Sequence, residues 1–411
     1  MRSETAAALS LLSAQAVRDR AHRMLALGLG DRLPHFRVDL SRLDDAVNLV
    51  VETTRQHYPS LDVPLHSRWR HFVVDGNDRW AAIDAATNWR DHAARVRAAF
   101  DLIIVSVLLD AGAGPQWRYR DPATGRELGR SEGLALASLD MFSRGALSSN
   151  PNERLRADAD ALLHLSDDAL AAGLQVSRSN PLVGISGRAD LLRRLGRVVG
   201  GRTEIFGHGD DARPAGLLDH LSALAENHEI SAAKILSELL HHLGPVWPSR
   251  LTLGGIPLGD CWRHPSLTTT DATGALVPLH KLSQWMAYSL IEPLQLASIS
   301  VTDVNGLTGL AEYRNGGLFI DTGVLQFRDP ADAVREHSVA APLVVEWRAL
   351  TVALLDRLAE MVRRHLGMDQ ASLPLGKVLQ GGTWLAGRII AGKRRSDGAP
   401  PIKVVSDGTV F

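Results

Sequence analysis

The sequence predicts a mainly α-helical protein with a small β component. Three observations carry that class. Apolar residues recur at three- and four-residue spacing over most of the chain. Phe100 to Leu109 is apolar on every side, the pattern of a buried helix. Turn-rich, non-periodic sequence is concentrated in Pro245 to Pro278 and around Gly316-Gly317.

In chain order, Ser3 to Leu27 reads as an amphipathic helix. Leu40 to Gln56 is another, with Leu43, Val47, Val50 and Val51 on one face and Ser41 with Asp44 as a capping box. An irregular stretch after Tyr58-Pro59 holds residues 66–72, and Asn88 to Asp110 is a long helix stopped by Gly112 to Pro115. Ser131 caps a helix from Glu132 to about Phe142, Arg144 to Asn152 is a loop, and Leu155 to Leu170 is helical again. Asn180-Pro181 opens a unit that runs to about Leu243. Short strands are expected in Pro245 to Pro278, helix in His280 to Ala297, and β structure in Ile299 to Asp329 with Gly316-Gly317 as the turn. Val344 to Leu366 is a long amphipathic helix, and Pro400 to Phe411 an extended tail. No flexible linker interrupts the 411 residues, which read as one compact unit, with 1–179, 180–244 and 245–411 as a possible subdivision.

Composition narrows the function classes. With 45 Lys+Arg against 46 Asp+Glu, the chain lacks the basic excess of a nucleic-acid binder, and Lys393-Arg394-Arg395 is its one basic run. The single cysteine, Cys261, excludes a disulfide framework or a multi-cysteine zinc site. No stretch reaches the roughly 18 consecutive apolar residues of a membrane span, and the N-terminus reads as a helix rather than a signal peptide. A cytoplasmic protein acting on a small molecule, with no nucleic acid and no membrane, is the expectation. Walker A, GxGxxG, HExxH and GxSxG patterns are absent.

Several segments combine residues that do chemistry. His66-Ser67-Arg68-Trp69-Arg70-His71-Phe72 gathers guanidinium, imidazole and aromatic groups, so Arg68, Trp69 and His71 are candidate ligand contacts. Asp110 places a carboxylate at the end of a buried helix, against the macrodipole, and Trp117 follows as a possible stacking wall. Glu132 and Asp140 lie about 12 Å apart along one helix, too far for a carboxylate pair on one bond, and a first-turn Glu is ordinary helix-end chemistry. Gly184 to Arg188 has the rhythm of a helix-hairpin-helix turn. Asp260, Cys261, Arg263 and His264 combine acid, thiol, base and imidazole, but no second His/Cys cluster supports a metal, and neither metal nor cofactor is expected. Lys281 and Gln284 share a helix face. Glu312 and Asp321 flank Gly316-Gly317, so a hairpin would set them opposite each other, with Arg314 as the structural partner of Asp321. Partial desolvation would raise a carboxylate there toward general acid–base use.

Seven blocks in this order resemble the family of proteins encoded with uracil-catabolism genes. They are Tyr58-Pro59 with residues 66–72, residues 129–135, Ser179 to Leu182 with Gly187-Arg188, Leu253 to Gly255, Gly259-Asp260 with Trp262 to His264, residues 278–285, and residues 312–321. The resemblance implies a step in a pathway that ribosylates uracil, opens the ring and releases urea through ribosylurea-type intermediates. It carries no residue roles. A more distant similarity to the helical glycosidases that salvage queuosine fits the turn at Gly184. The resulting expectation is an N-glycoside hydrolase acting on ribosylurea or its 5′-phosphate. Asp321 would face the oxocarbenium, and Asp260 or Glu312 would protonate the leaving group or position water. Arg68, Arg263 and Arg314 would meet phosphate or ribose. The alternatives are an amidohydrolase-type step on the opened ring, or a non-catalytic ligand-binding partner of the ring-opening enzyme. Association with other uracil-catabolism enzymes is a further expectation.

Overall fold

A computed structural model describes residues 2–248, 250–405 and 408–409. It is mainly α with only two-stranded β pairs, as the periodicity requires. The chain forms two compact units, Met1–His66, Ser249–Gln284 and Asp303–Val405 in the first, and Ser67–Pro248, Trp285–Thr302 and Ser406–Phe411 in the second. Among the described residues no helix is long and apolar enough to cross a membrane.

The first unit is built on the helix Pro342–Leu366, whose apolar face packs against the helices Ala14–Leu29 and Leu43–His57. Gly367 stops it in the left-handed conformation with φ of 67°. The expected helix from Ser3 to Leu27 is two helices, Arg2–Ser10 and Ala14–Leu29, because the Ser13 hydroxyl accepts from the Ala16 amide at 3.1 Å and starts a new one. Leu43–His57 carries Asp44 and Asp45 in its first turn and Arg55 and His57 in its last, matching the helix dipole at both ends. Short antiparallel pairs, Phe36–Val38 with Leu325–Phe327 and Cys261–Arg263 with Leu276–Pro278, tie the loops to these helices.

The hairpin expected around Gly316-Gly317 does not form. Tyr313–Asp321 is a helix capped by Glu312, so Glu312 and Asp321 lie at its opposite ends. The glycines serve packing instead of turning. A Cβ on Gly316 would come within 2.6 Å of the Trp347 indole.

In the second unit the helix His92–Leu108 is buried along its C-terminal half, as its all-round apolar sequence implies. It packs against Arg130–Ser143 and Gly216–Leu224. Ile185–Gly201 packs against Ala159–Leu163 and Asp167–Gly173, which together replace the continuous helix expected from Leu155 to Leu170. Glu229–Ser231 pairs in parallel with Ser300–Thr302. Of the expected extended tail, Lys403–Val405 is a strand; Ser406, Asp407, Val410 and Phe411 lie outside the described residues.

The helices Tyr313–Asp321 and Trp384–Arg394 approach so closely that a Cβ on Gly387 would collide with the Arg314 carbonyl oxygen. Backbone cannot yield as a flexible side chain can. Gly387→Ala is therefore expected to destabilise the protein by about 1–3 kcal/mol, read as a lower urea midpoint with an unchanged slope.

Candidate functional site

In the second unit, polar groups converge on the C-terminal end of His92–Leu108. The last carbonyls of a helix lack intrahelical donors, and here they are buried. Two guanidiniums with no solvent exposure supply the donors. Arg68 donates from Nη2 to the Ser106 carbonyl at 3.2 Å. Arg188 donates from Nε to the Leu109 carbonyl at 3.2 Å, and from Nη2 to those of Ala111 at 2.7 Å and Gly112 at 2.9 Å. It also reaches the Val183 carbonyl. Burial pulls both arginines below their ordinary values, Arg188 to about 10.

Arg68 reaches this position because Arg68–Phe72 is a short 3-10 turn anchored by side chains. The Arg68 amide donates to Ser289 Oγ at 2.9 Å, and Trp69 Nε1 donates to the Ser289 carbonyl at 3.0 Å. Trp69 then packs against Phe72 and Trp80. Arg68 Nε donates to Ser106 Oγ at 2.7 Å, so Ser106 donates onward to Ser138 Oγ at 2.6 Å, and Ser138 to the Ala135 carbonyl. Arg68 Nη1 also reaches the Ser131 carbonyl at 3.1 Å.

Asp110 sits at this positive focus, its Oδ1 3.0 Å from Arg68 Nη1. The carboxylate that opposed the helix dipole in the sequence is thus offset by Arg68. Arg68 Nη1 also lies 3.4 Å from His71 Nδ1. A guanidinium only donates, so Nδ1 accepts and the neutral ring carries its proton on Nε2. Burial first, then the charge of Arg68, drives His71 down to about 4, against the pull of Asp110, so the ring is neutral at physiological pH. Trp285 lies against it, with centroids 5.8 Å apart. Glu132, in the first turn of Arg130–Ser143, adds a second negative charge to the field at Arg68. Of the residues singled out in the sequence, Arg68, His71 and Asp110 therefore meet. Trp117 is buried, with Nε1 donating to the Leu174 carbonyl at 2.9 Å.

The remaining candidates lie in the first unit and are held in separate pairs. Asp260 faces Arg348 in a buried two-point pair at 2.8 and 2.9 Å, and also accepts from Trp262 Nε1 and the Lys281 amide. Burial opposes its charge, but Arg348 and these donors outweigh it and hold Asp260 at about 2. His264 is buried with Nε2 3.1 Å from Glu346 Oε2, while Arg263 is exposed. Gln284 is clamped to Thr308, accepting from its amide at 2.9 Å. Glu312 accepts from the amides of Arg314 at 2.7 Å and Asn315 at 2.5 Å. Arg314 is buried, donates to the Gly398 carbonyl and lies over the Tyr313 ring. The ion pair expected between Arg314 and Asp321 is replaced by one to Arg395, at 2.7 and 2.5 Å.

Arg188 carries more of this architecture than its motif announced, since only the folded loop brings four carbonyls to it. Ser106 and Ser138 gave no signal, lying within helical segments. Sequence reasoning also missed His220, Glu238 and His242, which cluster in the second unit. The i, i+4 spacing of Glu238 and His242 was the available sign.

A family model described as "Protein of unknown function (DUF1688)" matches residues 10–411. The chain belongs to this family. It is 39% identical over 422 residues to "Protein urg3" of Schizosaccharomyces pombe, spanning 100% of both chains. It is 35% identical over 415 residues to "Uracil catabolism protein 4" of Lachancea kluyveri, spanning 92% of each.

The shifted histidine makes stability depend on pH. His71 titrates at 6.5 when unfolded and at about 4 when folded. Between those values the unfolded chain holds the extra proton, so this stabilisation is complete above the upper value and lost as pH falls toward the lower. In His71→Gln the corresponding component of the pH dependence of the urea midpoint is expected to vanish, leaving a flatter profile over that window.

Proposed function

We propose that this chain serves uracil catabolism as an N-glycoside hydrolase that releases urea from ribosylurea or its 5′-phosphate. The uracil-catabolism name of the Lachancea kluyveri relative supports the process. The observation that carries the chemistry is the buried carboxylate of Asp110 at a helix end, paired with Arg68, whose guanidinium also reaches neutral His71.

Breaking the C1′–N bond sends its electron pair to urea and leaves an oxocarbenium-like sugar. A fixed carboxylate against C1′ stabilises that charge and takes a proton from the attacking water. Water supplies hydroxide to C1′, and the leaving nitrogen gains a proton, so ribose and urea account for every atom. Asp110 is assigned the carboxylate role. His71, protonated on Nε2, offers a hydrogen bond to the urea carbonyl or a ribose hydroxyl, and Glu132 is the second carboxylate for proton delivery. Asp321 and Asp260 are ion-paired to Arg395 and Arg348, and Glu312 caps its helix, all within the first unit.

Purified full-length protein is expected to release urea from at least one of the two compounds. Asp110→Asn should lower turnover by at least about 10²-fold, while Asp321→Asn leaves a folded, active enzyme. Full activity in Asp110→Asn would discard the site, and no urea from either compound would discard the hydrolase.

A further inference from the structure

We propose that His220, Glu238 and His242 bind a divalent transition metal of the zinc type. The helix Gly216–Leu224 supplies His220, and Ala232–His242 supplies Glu238 and His242 one turn apart. Nε2 of His220 lies 2.7 Å from Glu238 Oε2, and Nε2 of His242 lies 3.2 Å from the same oxygen. All three ligand atoms fall within 4.8 Å of one another. Ligands at about 2.0–2.2 Å from a tetrahedral ion are separated by roughly 3.3–3.6 Å, so side-chain adjustments suffice to close around one.

The two imidazoles meet edge to face, with centroids 4.6 Å apart, so both Nε2 atoms point at one carboxylate oxygen. The other oxygen, Oε1, is held by Lys234 Nζ at 2.8 Å. That contact orients the carboxylate and leaves Oε2 for the centre, the task of outer-shell partners in metal sites. Two imidazoles and one carboxylate suit Zn²⁺, Ni²⁺ or Cu²⁺ better than Mg²⁺ or Ca²⁺, and three protein ligands leave a fourth position for water. Both histidines are partly exposed, which gives an ion a way in.

Arg202 supplies a specific check. Its Nη1 donates to Nδ1 of His242 at 3.2 Å, so in the metal-free ring the proton sits on Nε2. Metal binding moves that proton to Nδ1, where it would face the guanidinium N–H, and Arg202 must turn away. Arg202 is a competitor of the metal.

The test uses full-length protein stripped with a chelator, titrated with Zn²⁺ by calorimetry and with Co²⁺ by visible absorption. One equivalent is expected, with Co²⁺ bands of four- or five-coordinate geometry and a Zn²⁺-dependent rise in Tm. Loss of either imidazole, in His220→Asn or His242→Gln, should weaken binding at least about tenfold, and Arg202→Ala should tighten it. Circular dichroism confirms that each variant is folded. Absence of uptake or of Co²⁺ bands in the wild-type chain, or unchanged affinity in the double histidine variant, would overturn the proposal.

Discussion

The second unit depends on how the C-terminal end of one buried helix is satisfied. His92–Leu108 runs into the interior with no water for its last carbonyls, and an unpaired buried carbonyl costs roughly 1–3 kcal/mol. Arg68 and Arg188 meet that demand from opposite chain directions, one from an upstream 3-10 turn and one from a downstream helix. Each guanidinium is itself a buried charge, tolerable only because its donors are used. Helix, turn and loop therefore hold one another. Asp110 can stand at a helix terminus of unfavourable polarity because two cations are already there.

The same logic recurs elsewhere. Asp101, without solvent exposure, accepts from Arg213 through Nε and Nη2 and from the amides of Ala157 and Ala215. In the first unit, Asp260 and Arg348 form a comparable knot, and Glu346 accepts from the Phe36 amide while facing His264. Breaking one partner of such a buried pair typically costs about 3–5 kcal/mol. Each of these carboxylates is held by partners brought from distant parts of the chain.

Two polar clusters in the second unit thus differ in kind. Around Asp110 a buried guanidinium pairs with a carboxylate and, together with burial, keeps an imidazole neutral. Around Glu238 two imidazoles share one oxygen while a lysine orients the other, an environment suited to an ion. The first is locked into the backbone of three elements. The second links two surface helices through side chains alone.

Periodicity and composition by themselves determined the mainly helical class, the burial of Phe100 to Leu109, and the special position of Asp110, because helix burial and helix-end charge are local properties. The basic–aromatic segment around Arg68 was equally legible, and family membership was legible from blocks along the whole chain. Tertiary structure alone decided which residues meet. The Gly316-Gly317 pair reads as a turn in sequence, yet Gly316 is there to admit Trp347, a residue 31 positions beyond it, and Gly317 lies against Pro401. Asp321 seemed set against Arg314, but its partner Arg395 comes from a later helix end. Arg188 finds three of its four carbonyls 76 to 79 residues upstream. Hydrogen bonds and ion pairs act over a few ångströms of space, not of chain, so a local pattern can offer a charged group while only the packed fold assigns its partner.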